Sequence, residues 1–232
     1  MLGLASGQFF ATQDVVTLLL SIPLLFVGLR MARKGSLRGQ LLLVGGLGYM
    51  LYTYTSYAFG LAYNEFFLLY VALFALVLFT FILALAGLDV ALVARKVSDQ
   101  MPRRGIVLFL AGIAAFLTLA WLERIISAWL AGQPPYGLEA NTTLTIQVLD
   151  LGFVVPVTVL ASVLLWRKQA WGYTLAAILL IKALTMGAAL IAMVVAEYLA
   201  GVDMSLVESL VVSAIAPVAL FFTVQMFRYV PE

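Results

Sequence analysis

Seven stretches of the chain are apolar for long enough to cross a bilayer, and this constrains the fold more than any other feature. They run over residues 15–30, 41–61, 66–87, 106–122 (or on to 130), 145–166, 172–198 and 206–227. A helix rises about 1.5 Å per residue, so roughly 20 apolar residues span a hydrocarbon core of about 30 Å. Lipid offers no hydrogen bonds, so a spanning segment of this kind satisfies its backbone internally, as a helix. The expected fold is therefore an all-α integral membrane protein: a seven-transmembrane-helix bundle forming a single domain over residues 1–232. Composition agrees. The chain is 65% hydrophobic and 10% charged, against roughly 25% charged residues in soluble domains, and little sequence remains for a water-soluble unit.

Basic residues are retained on the cytoplasmic side of such a bundle. Eleven of the thirteen Lys and Arg fall at Arg30–Arg38, Arg95–Arg104, Arg167–Lys168 and Arg228, all on one side if the crossings number seven. This predicts a cell (inner or plasma) membrane protein with its N-terminus outside and its C-terminus in the cytoplasm. Arg124 and Lys182 are the exceptions. The acids Asp14, Glu65, Glu123, Glu139, Asp150, Glu197, Asp203 and Glu208 lie toward the other face. The opening MLGLASGQFF has no basic region ahead of an apolar stretch, so a cleaved signal is not expected. Phe9 and Phe10 suit an interfacial segment instead. Trp166 and Trp171 flank a cytoplasmic turn and read as interfacial anchors. Asn141-Thr142-Thr143 matches a glycosylation acceptor on the outer side.

The chain has no Cys and no His. Zinc, haem and iron–sulfur sites depend on those side chains and are not expected, nor is a His-dependent hydrolase triad. Any protein-held metal would need oxygen ligands. A net charge of +2 gives no reason to expect nucleic acid. The expected partners are the lipid bilayer and a small-molecule or ion ligand; homo-oligomerisation is left open.

The intramembrane polar residues mark the candidate site. Lys182 lies about ten residues into the sixth segment, ~15 Å from the cytoplasmic face and near the midplane. A charged Lys there costs at least ~2.5–3.5 kcal/mol, so it should face protein or water. Thr185, Ala189, Ala192 and Ala196 share its stripe. Asp150, ~7 Å deep from the outside in the fifth segment, is its natural partner, with Gln147 and Thr158 on the same face. The pair reads either as a structural ion pair or as a ligand, proton or ion site. Tyr49, Tyr52, Thr53 and Ser56 form a hydroxyl-rich face on the second segment, satisfying one another or lining a pocket. Glu123, Glu197 and Glu208 read as solvated helix ends or as an acidic vestibule.

A shift of 133 positions sets Pro23 on Pro156, Lys34 on Arg167, Gly39 on Gly172 and Tyr49 on Lys182. Such a match suggests a 3+1+3 arrangement whose two triplets, both starting outside, are parallel repeats. In topology and length this resembles the SWEET sugar transporters and their PQ-loop relatives; no Pro-Gln pair occurs, and only Pro23 and Pro156 match their helix prolines. The stretches Asp150–Pro156, Arg167–Tyr173 and Lys182–Thr185 resemble a group of uncharacterised prokaryotic multipass proteins, which implies no activity. Retinal-binding seven-helix proteins share the topology, but their Schiff-base Lys lies in the seventh helix, and here that helix has none.

Transport or channelling of a small solute through a central polar site leads. A seven-helix sensor binding a small apolar ligand or chromophore comes next. A membrane-embedded lipid enzyme ranks last, because Asp14, Glu65, Glu123, Asp150 and Glu208 stand on different helices. A closed apolar pocket around Lys182 would favour the sensor, and a polar one opening outward the transporter.

Overall fold

The computed structural model describes residues 12–98, 100–138, 142–201 and 205–230, the side chains of 207 and 208 excepted. Phe9, Phe10, Glu139, Asn141, Asp203 and the Glu208 side chain thus lie outside the described residues. The chain is all-helical there: α1 Thr12–Ala32, α2 Leu37–Gly60, α3 Phe67–Ala86, α4 Val90–Lys96, α5 Arg103–Leu130, α6 Thr145–Trp166, α7 Ala170–Leu199 and α8 Leu206–Arg228.

Six of these helices, all but α2 and the short α4, are long and apolar enough to cross a membrane. α2 is 24 residues long, and its Tyr, Thr, Ser and Gly residues dilute its apolarity. It is also among the most enclosed helices, packed against α1, α3 and α7 with Leu41, Val44, Tyr49, Thr53 and Ser56 among its buried residues. α3 is the most apolar helix, and none of its residues is buried. The contrast follows from the solvent: a side chain facing lipid must be apolar, whereas one facing protein can be polar if it is hydrogen-bonded.

Local chemistry sets the helix ends. Ser36 caps α2 by accepting from Gly39 N at 3.2 Å, and the Asn64 side chain accepts from Phe66 N at 2.9 Å in the tight corner before α3. The charged connection after α3, residues 89–104, contains α4. Asp89 caps it at Leu92 N, and Val93 is buried against the core.

Two segments depart from α-winding. Thr17–Ser21 in α1 and Asp150–Val154 in α6 are π-helical, and each sits just ahead of a proline, Pro23 and Pro156. The two segments are 133 positions apart. So are Gly35 (φ 82°) and Lys168 (φ 58°), the left-handed residues of the turns closing α1 and α6. So are Gly39 and Gly172, where an added Cβ would strike the backbones of Ala32 and Leu165. Across the α2–α7 contact, Gly45 abuts Ile181 and Gly48 abuts Ile178.

The helix ends carrying the basic clusters meet at one end of the bundle. Arg38 Nε donates to the carbonyl of Val230 at 2.5 Å, Ser98 N to the carbonyl of Tyr229 at 3.1 Å, and Arg103 to the Tyr173 hydroxyl at 3.0 Å. The main apolar core fills this half, from Leu37, Leu41 and Met101 up to Leu110, Ala176 and Leu180. A cavity interrupts the packing of the other half.

Candidate functional site

Above the packed half lies a cavity of about 190 Å³, bounded chiefly by α5, α6, α7 and α8. Its walls are mostly apolar, with Ile113, Phe116 and Leu117 on α5, Met186, Leu190 and Met193 on α7, and Val212 and Ile215 on α8. Into it come six polar side chains, from Gln13, Tyr52, Trp121, Asp150, Thr158 and Lys182.

Asp150 sits in the π-helical turn of α6 and is buried. Tyr52 Oη donates to its Oδ1 at 2.9 Å, and Trp121 Nε1 donates to its Oδ2 at 2.9 Å. Each carboxylate oxygen thus holds one donor, from α2 and from α5, and the acid ties three helices together. Lys182 does not pair with it: among the described residues no ion pair within 4.0 Å joins the two. The ammonium lies 4.0 Å from the centroid of the Tyr52 ring instead, where the ring face attracts a cation. It makes no hydrogen bond to a described residue. An apolar cavity therefore holds one cation whose donors are unused.

The other expected site residues divide. Thr158 lines the cavity, but its hydroxyl donates to Val154 O at 2.7 Å. Thr185 is buried away from the cavity and bonds the carbonyls of Ile181 and Lys182. Neither presents a free donor, because a hydroxyl in an apolar helix is most cheaply satisfied by the carbonyl one turn back. Tyr49 is fully buried and bonds Thr17 at 3.1 Å, while Gln13 donates to Thr53 at 3.0 Å. Gln147 is buried outside the cavity walls.

Glu123 is exposed near the end of α5. Glu197, read as a solvated or vestibule acid, is 1% exposed, and its Oε1 has no hydrogen-bond partner. It continues the α7 stripe of Lys182, Met186, Leu190 and Met193, so the helix rotation that aims Lys182 inward turns Glu197 inward too. Trp121 was not singled out from sequence. A Trp placed mid-helix, away from either interface, needs a partner for its N–H, and that was the available signal.

No family model, no curated protein and no solved structure matches this chain. Several long apolar helices make it a multipass membrane protein; its function has to be argued from the cavity itself.

Proposed function

We propose that this chain is a seven-crossing membrane transporter, N-terminus outside, whose cargo is a small, largely apolar molecule with one oxygen acceptor. The observation that carries this is the Lys182 ammonium, unbonded to protein in an otherwise apolar cavity. A buried cation without hydrogen bonds is costly. A carboxylate or carbonyl on the cargo would relieve that cost, and Asp150 would balance the charge. The apolar walls would take the rest of the molecule.

α2 serves as the seventh crossing in this reading, being long enough and enclosed by protein. The matched π segments, left-handed turns and glycine contacts at a constant spacing support two parallel triplets, α1–α3 and α6–α8, linked by the crossing α5. The reciprocal contacts of Gly45 with Ile181 and Gly48 with Ile178 fit a pseudo-two-fold axis between α2 and α7, since residue i meets j and j meets i. Under that axis the neutral Thr17–Tyr49 hydrogen bond corresponds to the ionisable pair Asp150 and Lys182. The first triplet is closed by a satisfied bond, and the second keeps the charged pair and the cavity. A packed basic end beneath a cavity suits one state of an alternating-access cycle.

The apolar lining by itself favours a second reading, a ligand-binding sensor that does not carry its ligand across, whereas the paired triplets favour transport. One experiment separates them. The chain lacks cysteine, so single cysteines can be placed in the cavity (Met193→Cys) and in the packed half (Ala176→Cys). In a transporter, a membrane-impermeant thiol reagent applied from the basic side labels Ala176→Cys in part, and bound decanoate alters the extent. In a sensor that position stays unlabelled throughout. For the site itself, the probe is a terminally brominated decanoate quenching Trp121 in protein whose exposed Trp129, Trp166 and Trp171 are replaced by Phe. Lys182→Met is expected to weaken quenching roughly ten- to hundredfold, as for loss of a charged hydrogen bond. Equal quenching in both proteins would remove the proposed site.

A further inference from the structure

A second cation sits apart from the basic end. Arg124 on α5 lies three residues beyond Trp121, and its guanidinium faces two rings, Trp121 at 5.8 Å and Tyr136 at 5.5 Å from the centroids. It lines a pocket of about 460 Å³ between the end of α5 and the loop that follows, together with Glu123, Ser127, Gln133 and Pro134. The loop is folded closely over the guanidinium: Gly137 has φ 74°, and a Cβ there would collide with Nη2. No carboxylate of a described residue lies within 4.0 Å of Arg124, Glu123 included. Its side chain donates no hydrogen bond to a described residue, and among these Nε, itself buried, has no partner.

Two rings thus flank a guanidinium whose donors are unused, next to open volume. A fork of this kind matches an oxyanion, because two parallel N–H groups meet two oxygens of one carboxylate or phosphate. An Arg that merely reached toward water would not need rings on it or a loop closed over it. We propose that the Arg124 pocket is an oxyanion site taking a carboxylate or phosphate group, distinct from the Lys182 cavity and independent of what occupies that cavity. Trp121 lines the Lys182 cavity and links the two places, with Arg124 5.8 Å from its ring and its N–H on Asp150. Glu123 in the same pocket opposes the anion and limits its affinity.

The test is calorimetric titration of the full chain in neutral detergent at fixed ionic strength. The probes are inorganic phosphate, acetate and a short-chain phosphatidylglycerol below its micelle concentration. Saturable binding is expected, weakened about tenfold or more in Arg124→Gln and less in Arg124→Lys, which keeps the charge but loses the fork. Binding of the lipid alone identifies a headgroup phosphate as the source; comparable binding of phosphate or acetate identifies a free anion. Tyr136 is exposed, so Tyr136→Ala should fold and bind several-fold more weakly, whereas Glu123→Gln should bind several-fold more tightly. The proposal is overturned if no probe saturates, if Arg124→Gln titrates like the parent, or if both Tyr136→Ala and Glu123→Gln leave binding unchanged.

Discussion

Tyr52 serves Lys182 and Asp150 at once: its ring face lies 4.0 Å from the ammonium, and its hydroxyl donates to the carboxylate at 2.9 Å. One phenol from α2 thereby couples a cation on α7 to an anion on α6 without the two meeting. The arrangement keeps both charges inside the bundle and leaves the ammonium donors turned to the cavity. A direct ion pair would have consumed them.

Asp150→Ala would strand the Tyr52 hydroxyl and the Trp121 N–H in the protein interior. The expected loss is about 1–3 kcal/mol of stability, read as a lowered Tm in detergent. Asp150→Asn retains an acceptor and should lose less. Tyr52→Phe keeps the ring beside Lys182 and should fall between the Asn variant and the parent. An Asp150→Ala protein as stable as the parent would mean that these two hydrogen bonds do not hold the helices.

Glu197 presents the opposite case, a buried carboxylate oxygen with no partner. Filling its volume with an apolar side chain removes that desolvation cost, so Glu197→Met is expected to raise Tm, by the equivalent of roughly 1 kcal/mol or more. Destabilisation on this change would show that the carboxylate has a partner when the protein sits in a membrane.

Gly39→Ala and Gly172→Ala each push a methyl group into the backbone of the preceding helix. Overpacking of this kind costs about 1–3 kcal/mol. Gly112 has nothing within 4 Å of an added Cβ, so Gly112→Ala should be neutral or gain up to about 1 kcal/mol from helix propensity. Thermal melts of the three variants side by side test the ordering.

Lys168 is the sole non-glycine with positive φ among the described residues. A Cβ in the left-handed region costs about 1–2 kcal/mol. Lys168→Gly is therefore expected to stabilise the α6–α7 turn, part of the gain being offset by the greater freedom of glycine when unfolded. Gly35→Lys in the matching turn should destabilise. Denaturant titration in mixed micelles gives both signs.

Most of the helix positions were legible in the sequence because length and apolarity suffice for them. The run at 66–87 became α3 at Phe67–Ala86, and the one at 106–122 continued to Leu130, as its alternative allowed. α4 was missed: seven residues capped by Asp89 carry too short a pattern to stand out from a charged connection. The recurrence of prolines and glycines at one spacing was visible as well. Its backbone counterparts, the π turns and the left-handed turn residues, were not.

By itself the sequence determined that this chain lives in lipid, where its polar residues fall along each helix, and which ends gather the basic clusters. Only the tertiary structure decided which way those residues point: Asp150 toward Tyr52 and Trp121, Lys182 into the cavity, Glu197 inward, Thr185 onto its own helix. The reason lies in the solvent. In water an apolar stripe reveals which face of a helix is buried, but lipid and protein interior are alike apolar, so hydrophobic periodicity no longer reports helix rotation. Rotation is then set by close packing at glycines such as Gly39, Gly45 and Gly172 and by single hydrogen bonds between helices, and both exist only once the helices have met.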